Sequence, residues 1–198
     1  MRGEKNARRR MPGGRIVRQL TCAAVALLLV VGAGCGGFGP KPDLPPVLPS
    51  DLVVGSSGEG GGALTLLHDF TAQVVLTRSA TLGPLVLYTS IEPAFDGLAE
   101  DDPDVPIYVL AAEIPLTVEL TAIDEGATVR FDTTVLSSPG DVAEFVMAPG
   151  GPFHPGWRVG PPEGSVPEPH RVSFRIGDAS GRYGSSATYT LDLVVDVP

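Results

Sequence analysis

The sequence predicts an all-β fold, and three observations carry this prediction. Hydrophobic and polar residues alternate strictly along several segments, as in strands with one buried and one solvated face. Gly, Pro, Asp or Ser separates most of these segments, which is typical of short strands joined by turns. No stretch has convincing helical periodicity. We therefore predict an antiparallel, immunoglobulin-like β-sandwich of about nine strands, although the Cys…Trp…Cys spacing of antibody domains is missing.

The alternation is clearest where Leu116, Val118 and Leu120 point to one face and Thr117, Glu119 and Thr121 to the other. Such sets should form the facing core layers of the sandwich. The predicted strands are 63–70, 72–78, 84–91, 106–112, 116–121, 129–132, 142–148, 172–176 and 188–193. The segment 148–169 contains seven prolines and is predicted to be a long loop, which is either a functional loop or a rigid connection.

The first 34 residues are typical of a signal peptide. Seven Lys or Arg among the first 18 residues precede an apolar run from Gln19 to Val31, and small residues follow it. This run of 13 residues is too short for a membrane-spanning helix, which needs about 20 residues. We therefore expect a leader that is cleaved on export.

The end of the leader, Gly32-Ala33-Gly34-Cys35, resembles the lipobox of bacterial lipoproteins. This resemblance implies that Cys35 is lipidated and becomes the mature N-terminus, attached to the membrane by its lipid. Gly32 departs from the lipobox pattern, which usually has Leu there, so ordinary signal cleavage and secretion remain the alternative. No Asp follows Cys35, which favours the outer membrane over the inner membrane within the cell envelope.

Residues 35–62 are predicted to be the lipidated cysteine and a flexible tether, because this range is rich in Pro and Gly. The β-sandwich domain is assigned to residues 63–198. From Gly36 onward the chain holds 22 acidic and seven basic residues, a net charge of −15, against −9 for the whole chain. An acidic surface of this kind argues against nucleic acid as a partner.

Around Pro152 to Trp157 the chain resembles exported bacterial surface-anchored domains that carry a His-x-His-x-x-Trp segment, some of them associated with zinc starvation. His154 matches the second histidine of that segment, Pro152 replaces the first, and His170 lies near the start of the following strand. The resemblance covers roughly the last 50 residues and implies the sandwich more than a metal site.

The three histidines His68, His154 and His170 are candidate zinc ligands, since three protein ligands and a water form a known zinc site. We favour three unrelated histidines, because their spacing does not force them together. A zinc or copper site built on His154 and His170 is the alternative; otherwise no cofactor is expected. Trp157 and Arg158 are a candidate binding loop for a protein or carbohydrate partner, although a lone Trp more often plugs the end of a sandwich.

The motifs of catalysis are missing from the sequence: there is no Gly-x-Ser-x-Gly, no phosphate-binding glycine loop and no His-Glu-x-x-His. We therefore expect no enzyme. The sequence favours a membrane-anchored extracytoplasmic lipoprotein that acts as a noncatalytic binding or envelope-structural module. A periplasmic or surface metal-binding protein is the alternative.

Overall fold

The computed structural model describes residues 50–101, 105–147 and 151–196. The predicted signal peptide, Cys35 and most of the predicted tether lie outside these residues. Across the described residues every regular element is a strand, and no helix occurs. The all-β prediction is therefore confirmed. A search of the same residues for a helix long and apolar enough to cross a membrane found none.

Twelve strands, β1 to β12, are formed by the described residues. They are β1 Leu52–Gly58, β2 Gly61–Leu67, β3 Gln73–Leu82, β4 Leu85–Ser90, β5 Phe95–Gly97, β6 Pro115–Ile123, β7 Ala127–Phe131, β8 Thr134–Leu136, β9 Val142–Val146, β10 Gly156–Val159, β11 His170–Asp178 and β12 Tyr189–Val195.

These strands form two sheets. A three-stranded sheet has the order β2-β1-β5, and a nine-stranded sheet has the order β8-β7-β10-β4-β3-β12-β11-β6-β9. Two neighbouring pairs are parallel, β1 with β5 and β12 with β3. The prediction of a purely antiparallel fold is wrong at these two pairs, because each pairs strands that are distant in the chain and need no hairpin between them.

Strand β3 belongs to both halves of the nine-stranded sheet. Its first part, from Gln73 to Leu76, pairs with β12, and its second part, from Thr77 to Leu82, pairs with β4. The register shifts between Arg78 and Ala80. An extra residue at such a bulge bends the strand and increases its twist, so β3 can run from one half of the sheet into the other.

A single hydrophobic core connects the two sheets. Phe95 of β5 is fully buried, and its ring centroid lies 5.9 Å from that of Phe131, 5.1 Å from that of Phe145 and 6.0 Å from that of Phe174. Those three phenylalanines belong to β7, β9 and β11. The short third strand of the small sheet therefore provides the aromatic side chain around which strands of the large sheet pack.

The predicted alternation is confirmed in the long strands. Val172, Phe174 and Ile176 of β11 are each at most 1% exposed, whereas Arg175 between them is exposed. Arg175 reaches Glu119 of the neighbouring strand β6, with 2.7 Å between Nη2 and Oε2. One face of this strand is thus core, and the other carries charge into solvent.

Three segments differ from the prediction. Residues 106–112, predicted as a strand, form a loop that is held to β1 by two backbone hydrogen bonds between Ser56 and Tyr108, each 2.9 Å long. The predicted loop 148–169 contains β10, and β1 and the start of β2 lie within the range 35–62 that composition assigns to the tether. Composition misleads here because long-range pairing can place glycine-rich segments in a sheet.

Candidate functional site

A cleft of about 400 Å³ opens beside the β1–β5 pair. This volume lies in the range of small-molecule sites, about 300–1,000 Å³. Most of its wall is apolar, and the lining residues include Val54, Leu98, Val109, Leu110, Ala111 and Met147. The cleft lies between the edge of the small sheet and the loop that joins β5 to β6.

Backbone hydrogen bonds hold the loop wall of the cleft in place. Leu98 N–H donates to the Val54 carbonyl over 3.2 Å, and Val109 N–H donates to Asp101 Oδ1 over 2.8 Å. Next to Val54, Gly55 leaves the space that Ile107 fills, since a Cβ built on Gly55 would lie 2.5 Å from Ile107 Cγ1. The loop can approach β1 this closely because glycine has no side chain.

Tyr183 fixes the loop from the opposite side. It is 5% exposed, and its hydroxyl accepts a hydrogen bond of 3.1 Å from Ala111 N–H. Asp178 shapes the turn that carries Tyr183, because its carboxylate accepts hydrogen bonds from the backbone N–H groups of Ser180, Arg182 and Tyr183. Burial alone would raise the pKa of Asp178, but the hydrogen bonds from Ser180, Tyr183 and Arg182 hold that pKa below its usual value.

Two carboxylates are the charged groups among the described lining residues. Asp96 ends the short strand β5, and Glu113 lies in the turn before β6. Neither forms an ion pair with a cation in the described part of the chain. Glu113 has a φ of 58°, a left-handed conformation that is uncommon outside glycine and often found at ligand sites.

A second, more polar pocket of about 360 Å³ lies at the start of β3. Its lining includes His68, Asp69, Gln73, Ser90 and Glu92. His68 is 8% exposed, and neither ring nitrogen has a hydrogen-bond partner among the described residues. Its ring meets that of Phe70 edge-on, with 5.0 Å between the centroids. A buried polar group without a partner costs free energy, so the two ring nitrogens of His68 carry a desolvation cost.

Replacing His68 by leucine is therefore expected to stabilise the domain by about 1 kcal/mol, because it removes two unpaired polar atoms from the interior. Urea unfolding followed by circular dichroism measures this change. His170→Leu is the control: its Nδ1 already lies 2.7 Å from the Glu168 carbonyl oxygen, so the substitution removes a contact and should not stabilise. A loss of stability in His68→Leu would contradict the interpretation.

The structure places the three predicted histidines in different surroundings. His154 precedes β10, and its Nδ1 lies 3.4 Å from Glu92 Oε1. His170 opens β11, pairs with Leu193 and lies beside Gly126. Neither His154 nor His170 is among the described residues that line the pocket of His68. Glu92, the partner of His154, does line that pocket. No group of three His, Cys, Asp or Glu side chains that could hold a metal occurs in residues 50–101, 105–147 and 151–196.

The candidate binding loop is not an exposed loop in the structure. Trp157 belongs to β10, is 1% exposed and donates a hydrogen bond of 3.1 Å from Nε1 to the Pro93 carbonyl. Arg158, on the opposite face of the same strand, is half-buried, and its Nε has no partner within the described residues. Trp157 is therefore a core residue in this structure, and its ring is not exposed to a ligand.

Sequence reasoning missed the cleft. The residues that line it belong to β1, β5, the β5–β6 loop and the segments around β9 and Pro152. No local sequence pattern therefore predicts the cleft. The one signal in the sequence is the run of small and apolar residues from Val109 to Ile114 with a single charge, Glu113. The predicted strand 106–112 covers only the first four residues of that run.

Comparisons with known proteins add little to the description of the fold and the cleft. No protein-family model matches the chain, and no curated protein matches it. Among solved structures, the chain is similar to the structure of the N-terminal domain of PorA, with a TM-score of 0.35 and 14% sequence identity. The similarity covers 66% of this chain and 91% of that chain. A TM-score this low supports no argument about fold or function.

Proposed function

We propose that this protein is an exported lipoprotein, anchored through Cys35, whose acidic all-β domain acts as a noncatalytic binding module in the cell envelope. The observation that carries the proposal is the order of basic, apolar and small residues that ends at Cys35. The acidic domain that follows suits an extracytoplasmic setting. We place the lipid in the outer membrane, with secretion as the alternative.

We further propose that the two halves of the nine-stranded sheet are the facing layers of an immunoglobulin-like sandwich. Aromatic contacts between strands of the two halves support this: the ring centroids of Phe131 in β7 and Phe145 in β9 are 5.7 Å apart, and those of Trp157 in β10 and Phe174 in β11 are 6.2 Å apart. Residues on the inner faces of two packed sheets interdigitate in this way.

The binding role is supported by the cleft beside β1 and β5. It has the volume of a ligand site, a mostly apolar wall and two carboxylates. A pair of carboxylates alone does not make a catalytic site, which also needs groups placed to act as nucleophile, base or transition-state stabiliser. Binding without catalysis is thus the role that the cleft favours.

The substitution Cys35→Ser tests the anchor. We expect the wild-type protein to fractionate with membranes and to carry the mass of attached acyl chains, because one chain alone gives only marginal binding and lipoproteins carry several. The variant should lose that mass and become soluble. Intact mass spectrometry of the extracted protein and its distribution between membrane and soluble fractions measure both effects.

Cys22→Ser is the matched control, since this cysteine lies within the apolar run of the leader and should leave with it. It is expected to keep both the lipid mass and the membrane fraction. A wild-type protein that is soluble and has no added mass would contradict the anchor and support the secreted alternative.

A further inference from the structure

We propose that the cleft beside β1 and β5 binds an amphipathic organic cation, an alkyl chain with a terminal ammonium group. This inference rests on the proposed binding role and names its ligand class. The apolar wall gives the alkyl chain its contacts. Leu98 and Leu110 come from the β5–β6 loop and Met147 from the residue after β9, and all three are partly exposed, so a ligand in the cleft touches apolar side chains on more than one side.

The charge of the ligand follows from Asp96 and Glu113. No Lys, Arg or His is among the described lining residues, and neither carboxylate has a cationic partner in the described ranges. An ammonium group near either carboxylate gains favourable electrostatic energy, whereas a carboxylate there is repelled. The cleft therefore selects cations over anions.

The position of Glu113 strengthens this assignment. Its φ of 58° costs backbone energy that a glycine at the same position would avoid. The turn nevertheless carries a carboxylate beside the cleft. Asp96 faces the same space from β5, where its Oδ1 accepts a hydrogen bond of 2.8 Å from Gly97 N–H. One carboxylate thus lies on the strand side and the other on the loop side.

The cleft is also held open by contacts that need no ligand. The hydrogen bonds of Leu98 and Ala111 to Val54 and Tyr183 fix the loop on both sides. A preformed site loses less conformational entropy when it binds. An alkylammonium ion can therefore bind without large rearrangement, and its affinity should rise with chain length, by roughly fourfold for each fully buried methylene.

Calorimetric titration with octylammonium, octanol and octanoate below their micelle-forming concentrations tests the inference. The protein is the exported full chain carrying Cys35→Ser, so that no attached lipid takes up the ligands. We expect octylammonium to bind about tenfold more tightly than octanoate, because two partly exposed carboxylates each contribute modestly. Octanol should fall between them, and butylammonium should bind more weakly than octylammonium.

Two sets of variants locate the site. Asp96→Asn and Glu113→Gln should each weaken octylammonium binding severalfold and leave octanol unchanged, while Glu163→Gln, an exposed acid outside the cleft, should change neither. Ala111→Phe should block all binding, and Val166→Phe, at a residue 86% exposed, should not. If Ala111→Phe fails to fold by circular dichroism, Met147→Trp provides the second block.

The inference is overturned if no ligand binds, if octanoate or octanol binds as tightly as octylammonium, or if blocking variants retain full affinity. It is also overturned if Asp96→Asn and Glu113→Gln weaken binding no more than Glu163→Gln does. The lipoprotein proposal is judged separately, by the mass at Cys35, so the two can fail independently.

Discussion

Replacing Phe95 by alanine is expected to lower the free energy of unfolding by about 3–5 kcal/mol, the usual cost of removing a fully buried phenylalanine side chain. Phe95 is 0% exposed and contacts the rings of Phe131, Phe145 and Phe174. These rings cannot all move to fill the space, because each is fixed on a different strand of the large sheet. The variant should therefore keep a cavity, and its Tm should fall by roughly 10 °C.

The large effect also has a topological reason. Phe95 lies on β5, which has only three residues and is held by β1 and by a two-way backbone bridge to Phe153, with hydrogen bonds of 2.8 and 2.7 Å. A strand this short contributes few ladder bonds, so its side chain provides most of its attachment to the core. Thermal and urea unfolding, followed by circular dichroism, measure the loss.

Two further variants make this prediction specific. Phe95→Leu refills part of the space and should lose less stability than Phe95→Ala. Val166→Ala removes methyl groups from a residue that is 86% exposed and should change stability by no more than about 0.5 kcal/mol. If Phe95→Ala were as stable as Val166→Ala, the packing of β5 against the large sheet would be wrong.

The fold class was predictable because long strands have a periodic pattern that does not depend on their partners. In β11 and β12 each buried residue is followed by one that faces outward, so a window of a few residues suffices. Some shorter strands also alternate, but they give too few repeats of the pattern to be recognised in an unfavourable segment. Strand β10 has four residues in a segment rich in Pro and Gly, and it becomes a strand only because β4 and β7 pair with it on both sides.

The pairing of strands was less predictable for a related reason. Parallel contacts such as Asp192 with Gln73 and Leu52 with Phe95 join residues that no turn connects. Turn residues indicate only neighbours in the chain, so the sequence indicates hairpins and leaves the parallel pairs open.

The candidate site was the least predictable feature. The sequence directed attention to histidines and to Trp157, because these residue types often carry chemistry. The structure instead buries Trp157 and gives His154 and His170 different neighbours, Glu92 and Glu168. It forms a cleft from residues such as Leu98 and Ala111 that have no chemical signature. An apolar cleft is a property of several distant segments packed together, and composition cannot show it.

Trp157→Phe is expected to lower the free energy of unfolding by about 2–3 kcal/mol. The substitution removes the hydrogen bond from Nε1 to the Pro93 carbonyl, which then remains buried without this donor, and leaves part of the indole space empty. His154→Ala is the control in the preceding loop; its contact with Glu92 is between partly exposed side chains, so it should cost no more than about 0.5 kcal/mol.

The fluorescence of Trp157 decides whether this residue lies in the core or in an exposed binding loop. Trp157 is the only tryptophan of the chain, so emission reports its surroundings directly. A core tryptophan should be poorly quenched by iodide in the folded protein and become strongly quenched in urea, along the same transition as the circular dichroism signal. Strong quenching in the folded state would mean that Trp157 is exposed in solution, and the binding-loop interpretation would then replace the core interpretation.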